Sequence, residues 1–205
     1  MPKRLKDETS EEKILDAART VFLQKGMAGA RMQEIADEAG INKALLHYYF
    51  KSKELLFDRV FLQAAEKLFP KMNAILNGDL PLFEKIENFI DTYIGIMIEN
   101  PYLPLFVLNE IHRDPEGFYK RMSHEMKFPR PEKFLLQIDE EVKAGRIKPV
   151  SPLQLFMTII SGTVFPFVGK PLFQAHIGVD EFQFRQFILQ RRTDFARFII
   201  DGLKK

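Results

Sequence analysis

The most informative absence in this 205-residue chain is cysteine, of which it has none. That absence excludes a disulfide framework, catalysis by a thiolate and zinc sites built from cysteine, so packing alone must hold the fold together. Tryptophan is absent too, whereas phenylalanine occurs 20 times and hydrophobic residues make up 46% of the chain. A chain of this length and composition can bury a substantial core, which excludes the disordered and fibrous classes.

Long apolar runs are also missing. The longest, residues 153–169, contains several polar residues and Pro166, and it falls short of the roughly 20 residues that a membrane span needs. Residues 3–8 are mostly charged where a signal peptide would require an apolar run. We therefore expect no export signal, no membrane partner and a cytoplasmic protein.

Acidic residues are missing from one short segment. The net charge of the whole chain is only +2, but no aspartate or glutamate lies between Glu38 and Glu54. The basic or titratable side chains inside this acid-free segment are Lys43, His47, Lys51 and Lys53. A local excess of positive charge is typical of a surface that binds a polyanion. Taken alone it also fits an ordinary solvated surface, because exposed lysines are common.

Apolar residues recur at helical spacing through the whole chain, and no β-branched run alternates with polar residues. Thr9 to Glu12 has the form of a capping box, and Ser52 is placed to cap a long helix. The sequence predicts helices at 10–25, 31–39, 43–48, from 53 onward, 82–99, 102–112, 116 to about 145 with a break at 128–131, 152–169 and 180–203. The predicted fold class is all-α, and we find no internal repeat.

Residues 31–50 have the spacing of a helix-turn-helix, in which two short helices cross closely. Ala36 is the small contact residue, Gly40 can adopt a left-handed turn at low cost, and Asn42 can cap the second helix. The side chains expected to face inward are Ile35, Ala39, Ile41, Leu46 and Tyr49. The opposite face of the second helix would then enter the major groove of DNA.

Several residue types on that face suit contacts with DNA. Lys43 and His47 can donate to base edges or phosphates, and Leu45 can contact a thymine methyl group. Lys53, together with backbone N–H groups of the following helix, can form a second phosphate clamp. The residues predicted to contact DNA are Arg31, Gln33, Asn42, Lys43, Ala44, Leu45, His47, Tyr48, Tyr49 and Lys53. The combined register of small, glycine and apolar positions favours this motif over an ordinary helical hairpin.

The segment Ile35–Leu56, IADEAGINKALLHYYFKSKELL, resembles the signature of the TetR (tetracycline repressor) family. The close match covers residues 10–56, and the remainder is similar in length and number of helices. The resemblance implies nine or ten helices, an N-terminal DNA-binding domain at 1–56 and a C-terminal ligand-binding and dimerisation domain at 57–205. It also implies repression that a small molecule relieves.

Three positions depart from the family pattern. Arg31 stands where members commonly have a threonine that caps the first helix of the motif, so the side chain can hold phosphate but cannot cap in the same way. Leu45 replaces a small or hydroxylated residue, and His47 replaces an aromatic tyrosine. The base preference of other members therefore cannot be transferred to this chain.

Most of the phenylalanines lie after residue 56, and they can either line a cavity between helices or simply fill the core. The family resemblance implies a ligand pocket among them. The predicted ligand-binding residues are Tyr93, Met97, Phe106, His112, Phe118 and Phe165. Glu110 and Arg113 flank His112 and can be either polar groups of the pocket or a surface ion pair.

Two segments, 152–169 and 180–203, carry more apolar faces than one core contact requires. Ser161 and Gly162 are small enough for close helix approach. Two such helices from each of two subunits can form a four-helix interface, so we predict a homodimer that binds a near-palindromic DNA operator.

Two other classes of function compete with a DNA-binding regulator. A helical enzyme or carrier of apolar molecules is disfavoured because no nucleophile, acid–base pair or metal-ligand spacing is recognisable; His112, His124 and His176 stand apart. A non-specific nucleoid-type binder would need a broader basic surface than residues 57–205 provide. We therefore expect no catalysis, no metal and no cofactor, and predict a ligand-responsive transcriptional repressor released from its operator by a small apolar or aromatic effector.

Overall fold

The computed structural model describes residues 3–101, 103–125 and 129–205, without the side chains of 3–9, 23, 106, 110, 113 and 121–125. These residues form helices and connecting turns without a β-strand, which confirms the all-α prediction. The helices are α1 Lys3–Gly29, α2 Met32–Glu38, α3 Lys43–Tyr49, α4 Lys53–Asn77, α5 Leu82–Glu99, α6 Leu103–Arg113, α7 Pro115–Glu125, α8 Glu132–Lys143, α9 Pro152–Val168, α10 Lys170–Ile177 and α11 Glu181–Leu203.

The chain divides into two compact units, Met1–Ala65 and Glu66–Lys205. The division falls inside α4, because the first turns of this helix are part of the N-terminal core. Leu56, Phe57 and Val60 are almost completely buried there. Helix α4 is thus one continuous helix that contributes residues to both units.

The core of the N-terminal unit is built from α1, α2, α3 and the start of α4. Phe22 and Phe57 pack edge to face, with ring centroids 4.8 Å apart and planes at 74°. Ile14, Ile35 and Leu46 are fully buried in the same unit. Helix α1 extends further than the predicted 10–25, and the backbone leaves helical geometry at Gly26, which has a φ of 65°.

The C-terminal unit is organised around α5, whose Ile86, Ile90 and Ile94 are fully buried. Helices α8, α9 and α11 pack against α5. Within the described ranges no single helix is long and apolar enough to cross a membrane, although α9 and α10 pass that test as a pair bent by 64°.

One helix of the C-terminal unit, α10, is absent from the sequence prediction. The predicted helix from 116 to about 145 is divided at its predicted break into α7 and α8, and α8 begins directly after Pro131. The sequence does not predict α10, because the residues Gly169-Lys170-Pro171 indicate the end of a helix. Proline is favoured in the first turn of a helix, where its missing N–H has no partner to lose, and Pro171 occupies that position in α10.

Candidate nucleic-acid interface

The turn between α2 and α3 has the geometry that its residue types predict. Gly40 has a φ of 65°, in the left-handed region that costs glycine little. The Ile41 N–H donates to the Ala36 carbonyl at 3.0 Å and closes the turn. The Asn42 Oδ1 accepts from the Leu45 N–H at 2.8 Å, so Asn42 caps α3 as expected.

The inward positions of the motif are buried to different degrees. Ile35, Ala36 and Leu46 are completely buried, whereas Ala39, Ile41 and Tyr49 are only partly buried. Tyr49 instead packs its ring edge to face against Tyr48, with centroids 5.4 Å apart. Helix α3 is therefore anchored mainly through Leu46 and Phe50, and its remaining surface faces outward.

The outward surface of α3 joins cationic, polar and apolar side chains. Lys43, Ala44 and Leu45 are exposed, Tyr48 is 70% exposed and His47 is half-buried. Neither Lys43 nor His47 forms an ion pair or a side-chain hydrogen bond with any residue that the structure describes. We call the residues Lys43, Ala44, Leu45, His47 and Tyr48 the α3 face.

The start of α2 compensates for the missing threonine cap in another way. The Arg31 backbone N–H donates to Glu34 Oε2 at 3.2 Å, while the Arg31 side chain forms no cap, as expected. Glu34 also pairs with Lys25 at 2.9 Å, and the hydrogen bond from Lys25 holds the pKa of the Glu34 carboxyl below its ordinary value. Gln33 donates to Asp37 at 2.8 Å, so its amide is engaged within α2.

Two lysines beside the α3 face behave differently. The Lys53 ammonium donates to the Ala30 carbonyl at 3.2 Å and is half-buried, so it ties the start of α4 to the end of α1. Lys51 is exposed and lies over the Tyr48 ring, with its ammonium 5.9 Å from the centroid. Lys51 was absent from the predicted DNA contacts, although its place in the acid-free segment was the signal that could have indicated it.

The predicted ligand-binding residues are distributed over several helices. Tyr93 stacks on Phe89 in α5 with centroids 6.4 Å apart, and burial raises the pKa of its hydroxyl far above the ordinary value of 10.0. Met97, one turn further along α5, and Phe118 in α7 are buried. The side chain of Phe106, like those of Glu110 and Arg113, lies outside the described residues.

His112 and Phe165 lie in more open positions than a pocket wall requires. His112 is exposed, and its Nδ1 lies 2.8 Å from the Leu108 carbonyl of the preceding turn of α6. Phe165 is 52% exposed and packs edge to face against Phe173 of α10. Among the described residues, no group of three histidine, aspartate or glutamate side chains is arranged to hold a metal ion.

An open groove of about 780 Å³ lies between the start of α9 and the end of α11. Its walls mix apolar side chains with two aspartates and an arginine. The lining residues are Val150, Gln154, Leu155, Thr158, Asp194, Arg197, Phe198, Ile199, Asp201, Gly202 and Leu203. This groove belongs to the surface of the two helices predicted to form the dimer.

Comparison with known proteins identifies the type of the helix-turn-helix. Residues 14–60, which include the whole helix-turn-helix, match the model for bacterial regulatory proteins of the tetR family. The helix-turn-helix of this chain is therefore of the TetR type. The curated relatives that it matches are transcriptional regulators, and the similarity to one of them extends over most of the chain.

The similarity to individual members is broad but moderate. The HTH-type transcriptional regulator RutR of Escherichia coli K12 is 28% identical over 194 residues, which cover 93% of this chain and 89% of RutR. The HTH-type transcriptional repressor KstR2 of Rhodococcus jostii is 32% identical over 79 residues, 38% of this chain and 39% of KstR2. A TetR/AcrR-family regulator from Thermobifida fusca has the same fold, with a TM-score of 0.63, 18% identity and coverage of 95% of this chain and 98% of the regulator.

Proposed function

We propose that this regulator is a repressor that binds a near-palindromic operator as a homodimer and leaves it when a small apolar or aromatic effector binds. The observation that carries the proposal is the α3 face, an outward helix surface between a capped N-terminus and a buried Leu46 anchor. Its Lys43 and His47 retain all their donors for an external partner.

On the α3 face, base recognition and phosphate binding are assigned to different residues. Leu45 and Ala44 supply methyl groups for thymine, and His47 supplies a ring nitrogen for a base edge. Lys43 lies in the first turn of α3, where the positive end of the helix dipole also favours phosphate. Arg31, Gln33, Asn42, Tyr48, Tyr49 and Lys53 remain proposed contacts around this centre.

The dimer proposal is supported by exposed apolar side chains on α9 and α11. Leu153, Met157 and Phe165 follow one side of α9 and are each more than half exposed. Phe182 and Phe198 of α11 are 70% and 72% exposed. A two-fold symmetric interface needs a surface that is complementary to itself, and here Phe198 stands at the edge of the open groove between the same two helices.

The effector proposal is supported by the surroundings of Tyr93. Its ring is half-buried and stacks on Phe89 of α5, and burial raises the pKa of its hydroxyl. Ligand pockets are mostly apolar, with a few polar groups that fix the orientation of the ligand. An apolar or aromatic molecule with one acceptor atom would fit these two aromatic rings and accept a hydrogen bond from the hydroxyl.

Selection of duplexes from a random DNA library tests the DNA-binding proposal. We expect one enriched, inverted-repeat sequence, bound roughly 10³-fold or more tightly than scrambled DNA at physiological salt. Equal affinity for selected and scrambled DNA would favour a nucleoid-type binder. No binding to either would favour a helical carrier or enzyme.

The effect of bound operator on the affinity for the effector tests the effector proposal, because the coupling between two ligands is reciprocal. A compound found by thermal-shift screening of apolar and aromatic molecules is titrated with and without saturating selected operator. Release from DNA requires weaker compound binding in the presence of operator, by roughly 5- to 150-fold. Identical affinities would rule out the proposed switch, and tighter binding would show that the compound promotes DNA binding instead.

A further inference from the structure

Helix α9 contains a proline four residues after a glycine, and this spacing leaves one carbonyl without its helical donor. Pro166 has no N–H, so the carbonyl of Gly162 cannot accept the usual bond from the residue four positions later. In the structure this carbonyl accepts two bonds from a different helix. The Nε and Nη2 of Arg191 in α11 lie 3.1 and 2.9 Å from the Gly162 oxygen.

Arg191 is held by groups that carry no negative charge. Its guanidinium lies 4.4 Å from the ring centroid of Phe195 and 5.9 Å from that of Phe187. No aspartate or glutamate among the described residues pairs with it, and burial lowers the pKa of its guanidinium. The adjacent Arg192 is different, because it pairs with Asp91 at 2.7 Å.

The same crossing also requires glycine at position 162. A Cβ at Gly162 would lie 2.2 Å from the Cζ of Phe195, much closer than any van der Waals contact. Phe195 is buried and lies under the Arg191 guanidinium, so it has little room to move. Pro166 therefore leaves the Gly162 carbonyl without its helical donor, and Arg191 of α11 donates to that carbonyl instead. The absence of a side chain at Gly162 leaves space for the Phe195 ring.

This crossing lies in the middle of the two helices whose outer sides carry the exposed apolar residues. We propose that Arg191 is a positioning residue that fixes α9 on α11 through the Gly162 carbonyl and thereby holds the dimer-forming surface in its binding shape. The inference rests on the homodimer proposed above. It assigns Arg191 a role through its contact with α9 and no contact with the partner subunit.

The test is a double-mutant cycle of Arg191→Ala and Pro166→Ala, with the dimer dissociation constant measured by sedimentation. We expect Arg191→Ala to raise this constant roughly tenfold, since it removes charge-assisted hydrogen bonds. In the Pro166→Ala background residue 166 regains an N–H that can donate to the Gly162 carbonyl. The same Arg191→Ala change should then raise the constant less than threefold.

Arg192→Ala is the matched control, because it removes a neighbouring guanidinium that pairs with Asp91 of α5. Arg192→Ala should change the dimer dissociation constant by the same factor in the wild-type and Pro166→Ala backgrounds. If Arg191→Ala does not fold by circular dichroism, Arg191→Lys replaces it; this variant keeps the charge but cannot donate as the planar fork does, and we expect an intermediate loss.

The outcomes separate this inference from the homodimer itself. A dimeric wild type whose dissociation constant is unchanged by Arg191→Ala would overturn the inference alone. If Arg191→Ala raises the dimer dissociation constant equally in the wild-type and Pro166→Ala backgrounds, the inference is also overturned. Arg191 would then act through something other than the Gly162 carbonyl. A wild type that stays monomeric at every concentration would overturn both proposals.

Discussion

The exposed surface around α3 differs from that of α9 and α11 in the bonding of some cations and in the number of exposed apolar side chains. Around α3, Lys43 and Lys51 have no hydrogen bond or ion pair with the described residues. On α11, Arg192 pairs with Asp91, and Arg191 donates to a main-chain carbonyl. The exposed side chains there include Phe182, Phe187 and Phe198 beside charged residues.

The difference follows from what each surface would bind. A surface for DNA gains affinity when its lysines replace the counterions of phosphates, so free cations are an advantage. A surface for a protein copy gains from burial of apolar side chains, and an unpaired cation inside it would be costly. Lys53 is intermediate, because it lies beside the α3 face but donates to the Ala30 carbonyl.

The largest effect is expected from a charge placed on the apolar surface of α9 and α11. Phe198→Asp should raise the dimer dissociation constant by about 30-fold or more, since exposed aromatic anchors dominate such interfaces. Leu136→Asp is the matched control, because Leu136 is also an exposed apolar residue but lies on α8. Equal dimer affinity of the wild type and Phe198→Asp, measured by sedimentation, would remove the apolar surface from the interface.

Base reading on the α3 face should have the next largest effect. His47→Ala should lose about 1–3 kcal/mol of discrimination near one position of the selected operator, if the ring contacts a base edge there. Competition between the operator and single-base variants measures this loss. Equal weakening on operator and scrambled DNA would assign His47 to phosphate rather than to a base.

Lys43 and Lys51 should contribute equally to the binding of every DNA sequence. Lys51→Ala and Lys43→Ala should each reduce the slope of log affinity against log salt by about one, with little change in stability. Lys53→Ala should in addition lower the free energy of unfolding by about 0.5–1.5 kcal/mol, because it removes the bond to the Ala30 carbonyl. Equal stability of Lys53→Ala and Lys51→Ala would contradict the distinction between free and engaged lysines.

The smallest predicted effect concerns an engaged cation of the C-terminal unit. Lys85 is 3% exposed, and its ammonium lies 3.4 Å from the Leu76 carbonyl. Burial lowers the pKa of Lys85 below its ordinary value of 10.5. Between the lowered pKa and pH 10.5 the folded chain has released a proton that the unfolded chain still binds, so this residue makes stability rise with pH.

Chemical denaturation of the wild type and Lys85→Met at increasing pH measures that contribution. The wild type should gain free energy of unfolding relative to Lys85→Met as the pH approaches 10.5. A difference that stays constant up to that pH would mean that burial does not disfavour the charged lysine.

The helix-turn-helix was predictable because its determinants are local. The Gly40 turn, the Asn42 cap and the Ile35 and Leu46 anchors lie within about three helical turns of sequence, and each has a residue type with a specific backbone or packing role. The partner of Lys53 was not predictable, since Ala30 is 23 residues away and a lysine has no preferred acceptor.

The C-terminal unit was less predictable because its helices are apolar on several sides. Periodicity places Phe165 and His112 on helices but cannot say which side of α6 or α9 meets the core, and both residues prove to be exposed. The contact between Arg191 and Gly162 joins residues 29 positions apart. The sequence contains Pro166 four residues after Gly162. It does not show that α11 crosses α9 at this point and that Arg191 donates to the Gly162 carbonyl.

The central proposal is that the two α3 faces of one dimer bind one operator. The spacing between the two half-sites of the operator tests it. Affinity is measured for the selected operator and for a duplex with about five base pairs, half a helical turn, inserted between its half-sites. The proposal predicts that this insertion abolishes specific binding, while an insertion of about ten base pairs weakens it less because the half-sites return to one side of the helix. Equal affinity for all three duplexes would contradict it, since single subunits would then read each half-site alone.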